Sequence, residues 1–136
     1  MTTPYNKSYT PPFPILPITL GEGSSRVGPV TALIDSGADT TVIPMELLKQ
    51  IGVGEGEEVT IRSHFGERQV ALLYLIPLSI EATNLVGIYA VGDETTDEII
   101  LGRNVLNKLT LLLDGPAQQA DVLDDATSKR LRARQG

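Results

Sequence analysis

The chain of 136 residues has no cysteine, no tryptophan and a single histidine, and aromatic residues make up only 4% of it. Without cysteine there is no disulfide framework, no thiolate metal site, no iron–sulfur cluster and no cysteine nucleophile. His64 alone cannot build a poly-histidine zinc site within one chain, and it makes a Ser-His-Asp triad a poor expectation. Basic residues are scarce too: 11 Lys and Arg stand against 17 Asp and Glu, for a net charge of −6. Such a surface does not neutralise phosphates, so nucleic acid is not an expected partner. No apolar run approaches a membrane span, and the N-terminus lacks a basic-then-apolar signal pattern. The expectation is a soluble, cytoplasmic protein with no membrane partner. The length suits one domain that buries a real core without staples.

The charges that are present are unevenly spread. Lys129, Arg130, Arg132 and Arg134 fall in the last 11 residues, which carry no acidic side chain, so residues 1–125 have a net charge of −10. A short basic end of this kind reads as a solvated, flexible tail. More than half of the nine prolines lie in the first 17 residues. Proline at that density builds neither helix nor central strand, so residues 1–14 read as an extended lead-in along a sheet edge or across to another subunit.

Between these ends, short Val, Ile, Leu and Thr runs punctuated by glycine mark an all-β domain over residues 15–114. Strands are predicted near Ile15–Leu20, Val27–Ile34, Thr41–Ile43, Glu58–Ser63, Gln69–Ile80, Leu85–Val91, Ile99–Leu101 and Leu109–Leu113. Alternation through Glu58–Arg62 predicts one buried and one wet face. Two short helices are predicted. One follows Pro44 and is closed by Gly52; the other spans Arg103–Lys108 after Gly102. Gly52–Glu57 reads as a connector, because it has no Lys-Ser/Thr at phosphate-loop spacing. Residues 115–136 are left as a C-terminal extension, with no repeat and no second domain.

Chemistry is concentrated in Thr31–Pro44, where an apolar strand runs into Asp35-Ser36-Gly37-Ala38-Asp39. A carboxylate at the inner end of a buried strand is costly unless hydrogen bonds satisfy it, and Ser36 and Gly37 supply donors there. Asp-Ser-Gly alone is an ordinary turn. A second block, Ile99-Ile100-Leu101-Gly102-Arg103-Asn104-Val105-Leu106, follows about 65 residues further on. Together the two blocks resemble the retropepsins, the retroviral-type aspartic proteases, and their prokaryotic relatives. That pattern is apolar-apolar-Asp-Thr/Ser-Gly-Ala, then an apolar run, Gly-Arg-Asp/Asn and a short helix.

The resemblance implies a closed β-barrel or sandwich with a flap hairpin, assembled as a homodimer. Asp35 falls on the catalytic aspartate, Ser36 on the hydroxyl residue bracing the paired loops, and Gly37 on the glycine approached by substrate. Ala38 and Asp39 complete the motif, and Arg103 falls on the arginine whose fork would hold the Asp39 carboxylate. Ser stands where the viral enzymes usually carry Thr, which keeps the hydroxyl and drops a methyl group. Ser63-His64-Phe65-Gly66-Glu67-Arg68 sits where the family places its flap, so His64, Phe65 and Gly66 are the substrate-covering candidates. A lone histidine in a hairpin turn reads as a polar turn residue rather than a base. Leu109–Leu113 stands where relatives place a strand that interleaves with a partner's terminus.

Hydrolysis by carboxylates needs two of them, one acting as base on a water and one as acid toward the carbonyl oxygen. This chain has one Asp-Ser-Gly. Asp114-Gly115-Pro116 lacks a backbone donor at proline and reads as a turn. A second Asp35 must then come from a second copy. The expected activity is an aspartic endopeptidase acting on extended peptides or proteins, with no metal and no cofactor. The alternative is a catalytically weak retropepsin-like dimer that only binds peptide or protein strands.

Overall fold

The computed structural model describes residues 2–62 and 66–135. Among the described residues, ten strands, three α-helices and one 3-10 turn follow one another. They are β1 (Thr2–Pro4), β2 (Ile15–Leu20), the turn Gly23–Ser25, β3 (Val27–Ile34), β4 (Thr41–Pro44), α1 (Met45–Gln50), β5 (Glu57–Arg62) and β6 (Arg68–Ile80). Then come β7 (Thr83–Asp93), β8 (Ile99–Leu101), α2 (Arg103–Leu106), β9 (Leu111–Asp114), β10 (Gln119–Val122) and α3 (Asp125–Ala133).

Six strands close into a barrel in the order β2-β3-β8-β4-β7-β6, and pairing of Thr19 with Ser79 and Leu20 with Leu78 joins β6 back to β2. Alternation builds the interior. Leu16, Ile18 and Leu20 of β2, Ile76, Leu78 and Ile80 of β6, Ile88 and Ala90 of β7, and Ile99 and Leu101 of β8 all point inward and are buried. Each large aliphatic side chain removed from water in this way contributes about 1.5–3 kcal/mol before entropy is counted. Tyr74 joins this core, whereas Tyr89 is half exposed on the outside. Pro77 would break the long strand β6, and the register shifts there between Ile76 and Leu78. Its free carbonyl accepts the Gly21 N–H at 2.9 Å.

Strand β5 pairs only with β6 and stays outside the closed barrel. The buried face predicted for Glu58–Arg62 is not formed: Val59 alone is half-buried, because no second layer covers this edge strand. Arg62 pairs with Arg68 where the connection of the β5–β6 hairpin begins and ends. Gly66, exposed at a φ of +79°, belongs to its connection, and His64 and Phe65 lie outside the described residues.

The ends of the chain depart most from expectation. The proline-rich lead-in contributes β1, which pairs with β10, and β10 pairs with β9, giving a separate antiparallel sheet β1-β10-β9. Its middle is pinned by a hydrogen bond from the Tyr9 hydroxyl to Glu98, which holds that hydroxyl above the ordinary tyrosine range. The last predicted strand begins at Leu111 rather than Leu109, because the Leu109 N–H is spent on Leu106 O in closing α2. The C-terminal extension contributes β10 and a third helix, α3, that the sequence reading did not include. Asp124 caps it: its carboxylate accepts the Thr127 N–H at 2.7 Å, which keeps that carboxyl below the usual range. Ser128 is buried against the domain and donates to Asp124 O. No helix among the described residues is long and apolar enough to cross a membrane.

Candidate active site

Strand β3 delivers Asp35 to the end of the barrel. The Asp35 N–H continues the parallel ladder to Leu101 O at 3.1 Å, and Ala38 N–H closes a turn on Asp35 O at 3.2 Å. The chain then reverses into β4, so Asp35 to Thr40 form a loop held at both ends by strands. Asp35 is half-buried, and Ser36 and Gly37 are exposed. The Gly37 N–H donates to Asp35 Oδ1 at 2.9 Å. A Cβ on Gly37 would stand 3.1 Å from that same oxygen, so glycine leaves the carboxylate open to approach.

The second block clamps this loop from beneath. Arg103 N–H donates to Ala38 O at 2.8 Å, and Arg103 Nη1 donates to Ser36 O at 2.8 Å. The expected fork between Arg103 and Asp39 is not formed within the chain. The guanidinium is turned to the Ser36 carbonyl, and exposed Asp39 makes no ion pair with it. Arg103 therefore ties α2 to the loop through the backbone rather than through a carboxylate. The Ser36 hydroxyl makes no hydrogen bond among the described residues.

Thr41 and Asn104 were not singled out in the sequence, and they join the two blocks. Thr41 is fully buried, its hydroxyl donating to Asn104 Oδ1 at 2.8 Å and accepting the Gly102 N–H at 3.1 Å. Asn104 Oδ1 also accepts the Thr41 N–H at 3.0 Å, and Asn104 Nδ2 donates to Tyr89 O at 2.7 Å. No buried side-chain polar atom among the described residues lacks a partner. The signal was present in the sequence, since a threonine six residues after Asp35 and an asparagine beside Arg103 are both polar residues at otherwise apolar positions. Their meeting depends on β4 lying between β8 and β7.

Gly102 is where the two backbones touch. A Cβ there would come within 2.6 Å of the Thr40 carbonyl carbon and 2.7 Å of its oxygen. Backbone cannot swing aside as a side-chain end does. Gly102→Ala is expected to cost about 1–3 kcal/mol in urea unfolding and to displace the Asp35 loop. A variant of wild-type stability would show that the approach is looser than this.

Register also aligns an apolar row that starts two residues before Asp35, its first member, Leu33, being buried. Leu33, Ile100, Val42, Val91 and Leu73 align across β3, β8, β4, β7 and β6. All face away from the barrel interior, on the side to which alternation directs Asp35, two residues beyond Leu33. A cleft of about 720 Å³ lined by Pro44, Met45, Glu46, Asp93 and Asp97 opens at the far end of β4 and does not include Asp35. Among the described residues no group of His, Asp and Glu is spaced to hold a metal ion.

Residues 25–108, more than half of the chain, match the family described as "gag-polyprotein putative aspartyl protease". The chain belongs to this family. No curated protein matches the sequence. Solved structures of similar shape are retropepsin-like as well. A retropepsin-like aspartic protease from Rickettsia conorii superposes with a TM-score of 0.65 at 14% identity, covering 90% of this chain and 88% of that one. The EIAV protease complexed with the inhibitor HBY-793 gives 0.52 at 16% identity, covering 71% and 86%. The retroviral protease-like domain of Ddi1 from Leishmania major gives 0.51 at 16% identity, covering 83% and 95%. At these identities the likeness speaks for the fold, and the retropepsin-like barrel is that fold. Within the family match lie both Asp35-Ser36-Gly37 and Gly102-Arg103-Asn104.

Proposed function

We propose that this retropepsin-like chain is an aspartic endopeptidase that works as a homodimer, with Asp35 of each copy supplying one carboxylate of a shared site. The observation that carries the reading is the Asp35 loop. It is a half-buried carboxylate held by the Gly37 N–H, clamped by Arg103, beside an apolar row, and present once per chain. Two carboxylates about 3 Å apart cannot both ionise, so the pair holds one proton between them. The ionised member takes a proton from water as that water attacks the scissile carbonyl carbon. The protonated member donates to the carbonyl oxygen. On collapse of the tetrahedral diol the proton taken from water passes to the departing nitrogen, and a hydroxyl proton returns to the ionised carboxylate. The amine leaves with the pair again holding one proton. Ile100 and Val42 would then bind apolar side chains of an extended substrate, while Gly66 belongs to the hairpin that closes over it.

The test is cleavage of a diverse peptide mixture between pH 4 and 7 over a range of protein concentration, with oligomeric state followed by sedimentation. Cleavage should appear, and activity per chain should fall as dilution splits the dimer. Folded, dimeric protein that cuts nothing would favour the binding module instead. Full activity per chain in a monomer would overturn the shared site.

A further inference from the structure

The apolar row is shut at the end nearest Asp35. Ile100, Val42, Val91 and Leu73 are half-buried, whereas Leu33 is only 7% exposed although it too faces away from the barrel interior. The proline-rich lead-in supplies the cover. Ile15 pairs with Leu33, and the Ile34 N–H donates to Pro14 O at 3.0 Å, so the ladder between β2 and β3 runs on until Phe13 is level with Asp35. Alternation puts Phe13 and Ile15 on the outer face shared by Leu33 and Asp35. There the pairing stops. Phe13 turns its N–H and C=O to Asn6 instead, at 3.0 and 2.8 Å, and this pair ties off residues 7–12 as a loop.

The loop folds back toward β8. The Tyr9 ring tilts onto Phe13 with 5.4 Å between centroids, and its hydroxyl donates to Glu98, two residues before Ile100. A space of about 250 Å³ remains between Asn6 and Tyr9 on one side and Thr31, Leu33 and Glu98 on the other. The loop is held unequally at its root and its tip. Its root is backbone: the Tyr5 N–H donates to Gln118 O, and Asn6 and Phe13 exchange two bonds. Its tip hangs on one side chain. Among the described residues no hydrogen bond other than Tyr9 to Glu98 joins residues 7–12 to the barrel. Lys7, Ser8, Thr10 and Pro11 are all exposed, so little apolar burial holds the tip down. A segment with so few buried contacts opens at low free energy while the fold around it stays intact.

We propose that residues 7–12 are a strap, latched by Tyr9 to Glu98, which keeps Leu33 from substrate until the latch opens. The proposal rests on the endopeptidase reading above and adds a control to that site. With the strap down, an extended peptide reaches Ile100 and Val42 but not Leu33. With the strap up, the space beneath it joins the row, and Leu33 receives a side chain two residues along β3 from Asp35. Substrate that needs the open form binds more weakly in proportion to the fraction of chains that are open. Loosening the latch therefore lowers KM and leaves kcat alone, because neither Tyr9 nor Glu98 touches the reacting atoms.

Tyr9→Phe keeps the ring on Phe13 and removes the latch. The chain has no cysteine of its own, so Leu33→Cys gives one thiol under the strap. In that background Tyr9→Phe should speed alkylation of the thiol about 10-fold, the scale of a hydrogen bond to a charged group. Glu98→Gln, which retains an acceptor, should open less than Glu98→Ala. With Leu33 restored, Tyr9→Phe should lower KM for a cleaved peptide by a similar factor at unchanged kcat. Tryptic cleavage after Lys7 should quicken as well, and it needs no cysteine variant. If neither alkylation nor tryptic cleavage responds to Tyr9→Phe, the loop is a fixed part of the fold and the proposal falls. A faster thiol with an unchanged KM would overturn the control of substrate. Faster alkylation in a folded chain that cuts no peptide would support the strap and remove the endopeptidase reading instead.

Discussion

Asp35→Asn is expected to fold and dimerise like the wild type and to hydrolyse peptides about 10²–10⁴-fold more slowly, the scale of a lost acid–base group. The side chain keeps its shape, and the amide oxygen still accepts the Gly37 N–H that holds Oδ1 at 2.9 Å. Only the ability to take or give a proton disappears. A loss of activity accompanied by a loss of dimer would mean that the carboxylate is structural. Undiminished cleavage would mean that Asp35 is not the catalyst.

Mixing makes the same variant a test of sharing. If each site draws one Asp35 from each copy, every mixed dimer is inactive. An equal mixture of wild-type and Asp35→Asn chains, allowed to exchange, should fall to about a quarter of the activity of the same total wild-type protein. A chain carrying its own complete site would fall only to a half. The distinction needs no knowledge of the natural substrate, because any peptide that is cut will report it.

Most of the barrel was legible in the sequence because its strands are short apolar runs stopped by glycine, proline or charge. Ile15–Leu20, Val27–Ile34 and Ile99–Leu101 are found at the boundaries expected for them. What failed, failed for lack of partners. The alternation in Glu58–Arg62 describes a strand correctly and its burial wrongly, because a two-residue period does not say whether another layer exists. α3 was hidden by its charge: Lys129, Arg130 and Arg132 look like a solvated tail, and the Asp124 cap and buried Ser128 matter only once β10 has turned the chain back. The site shows the same division. Asp35, Gly37 and Arg103 stand out by residue type and spacing. The Arg103 fork went to the Ser36 carbonyl instead of Asp39, a choice between nearby oxygens that no motif encodes. The row Leu33–Ile100–Val42–Val91–Leu73 exists only because β4 lies between β8 and β7.

Asn104→Ala is expected to be the most damaging substitution outside the Asp35 loop. Asn104 Oδ1 accepts both the N–H and the hydroxyl of Thr41, at 3.0 and 2.8 Å, and Thr41 has no exposed surface from which to recruit water. Alanine orphans both donors at once. Each buried unpaired group costs about 1–3 kcal/mol, so the variant should lose on the order of 2–4 kcal/mol in urea unfolding, with Tm lower by roughly 10 °C. Asn104→Asp separates this account from a simple packing defect. A carboxylate keeps both accepted bonds but sets an oxygen against Tyr89 O where the amide N–H donated at 2.7 Å, so it should recover part of the loss. Thr41→Val removes the hydroxyl from the other side, and combining it with Asn104→Ala should cost clearly less than the two singles added. Peptide cleavage should fall with stability in Asn104→Ala and return in part in Asn104→Asp, because the preceding residue, Arg103, carries the clamp on Ser36. A loss below about 0.5 kcal/mol in Asn104→Ala, or strict additivity with Thr41→Val, would show that the Asp35 loop is held by the barrel strands alone.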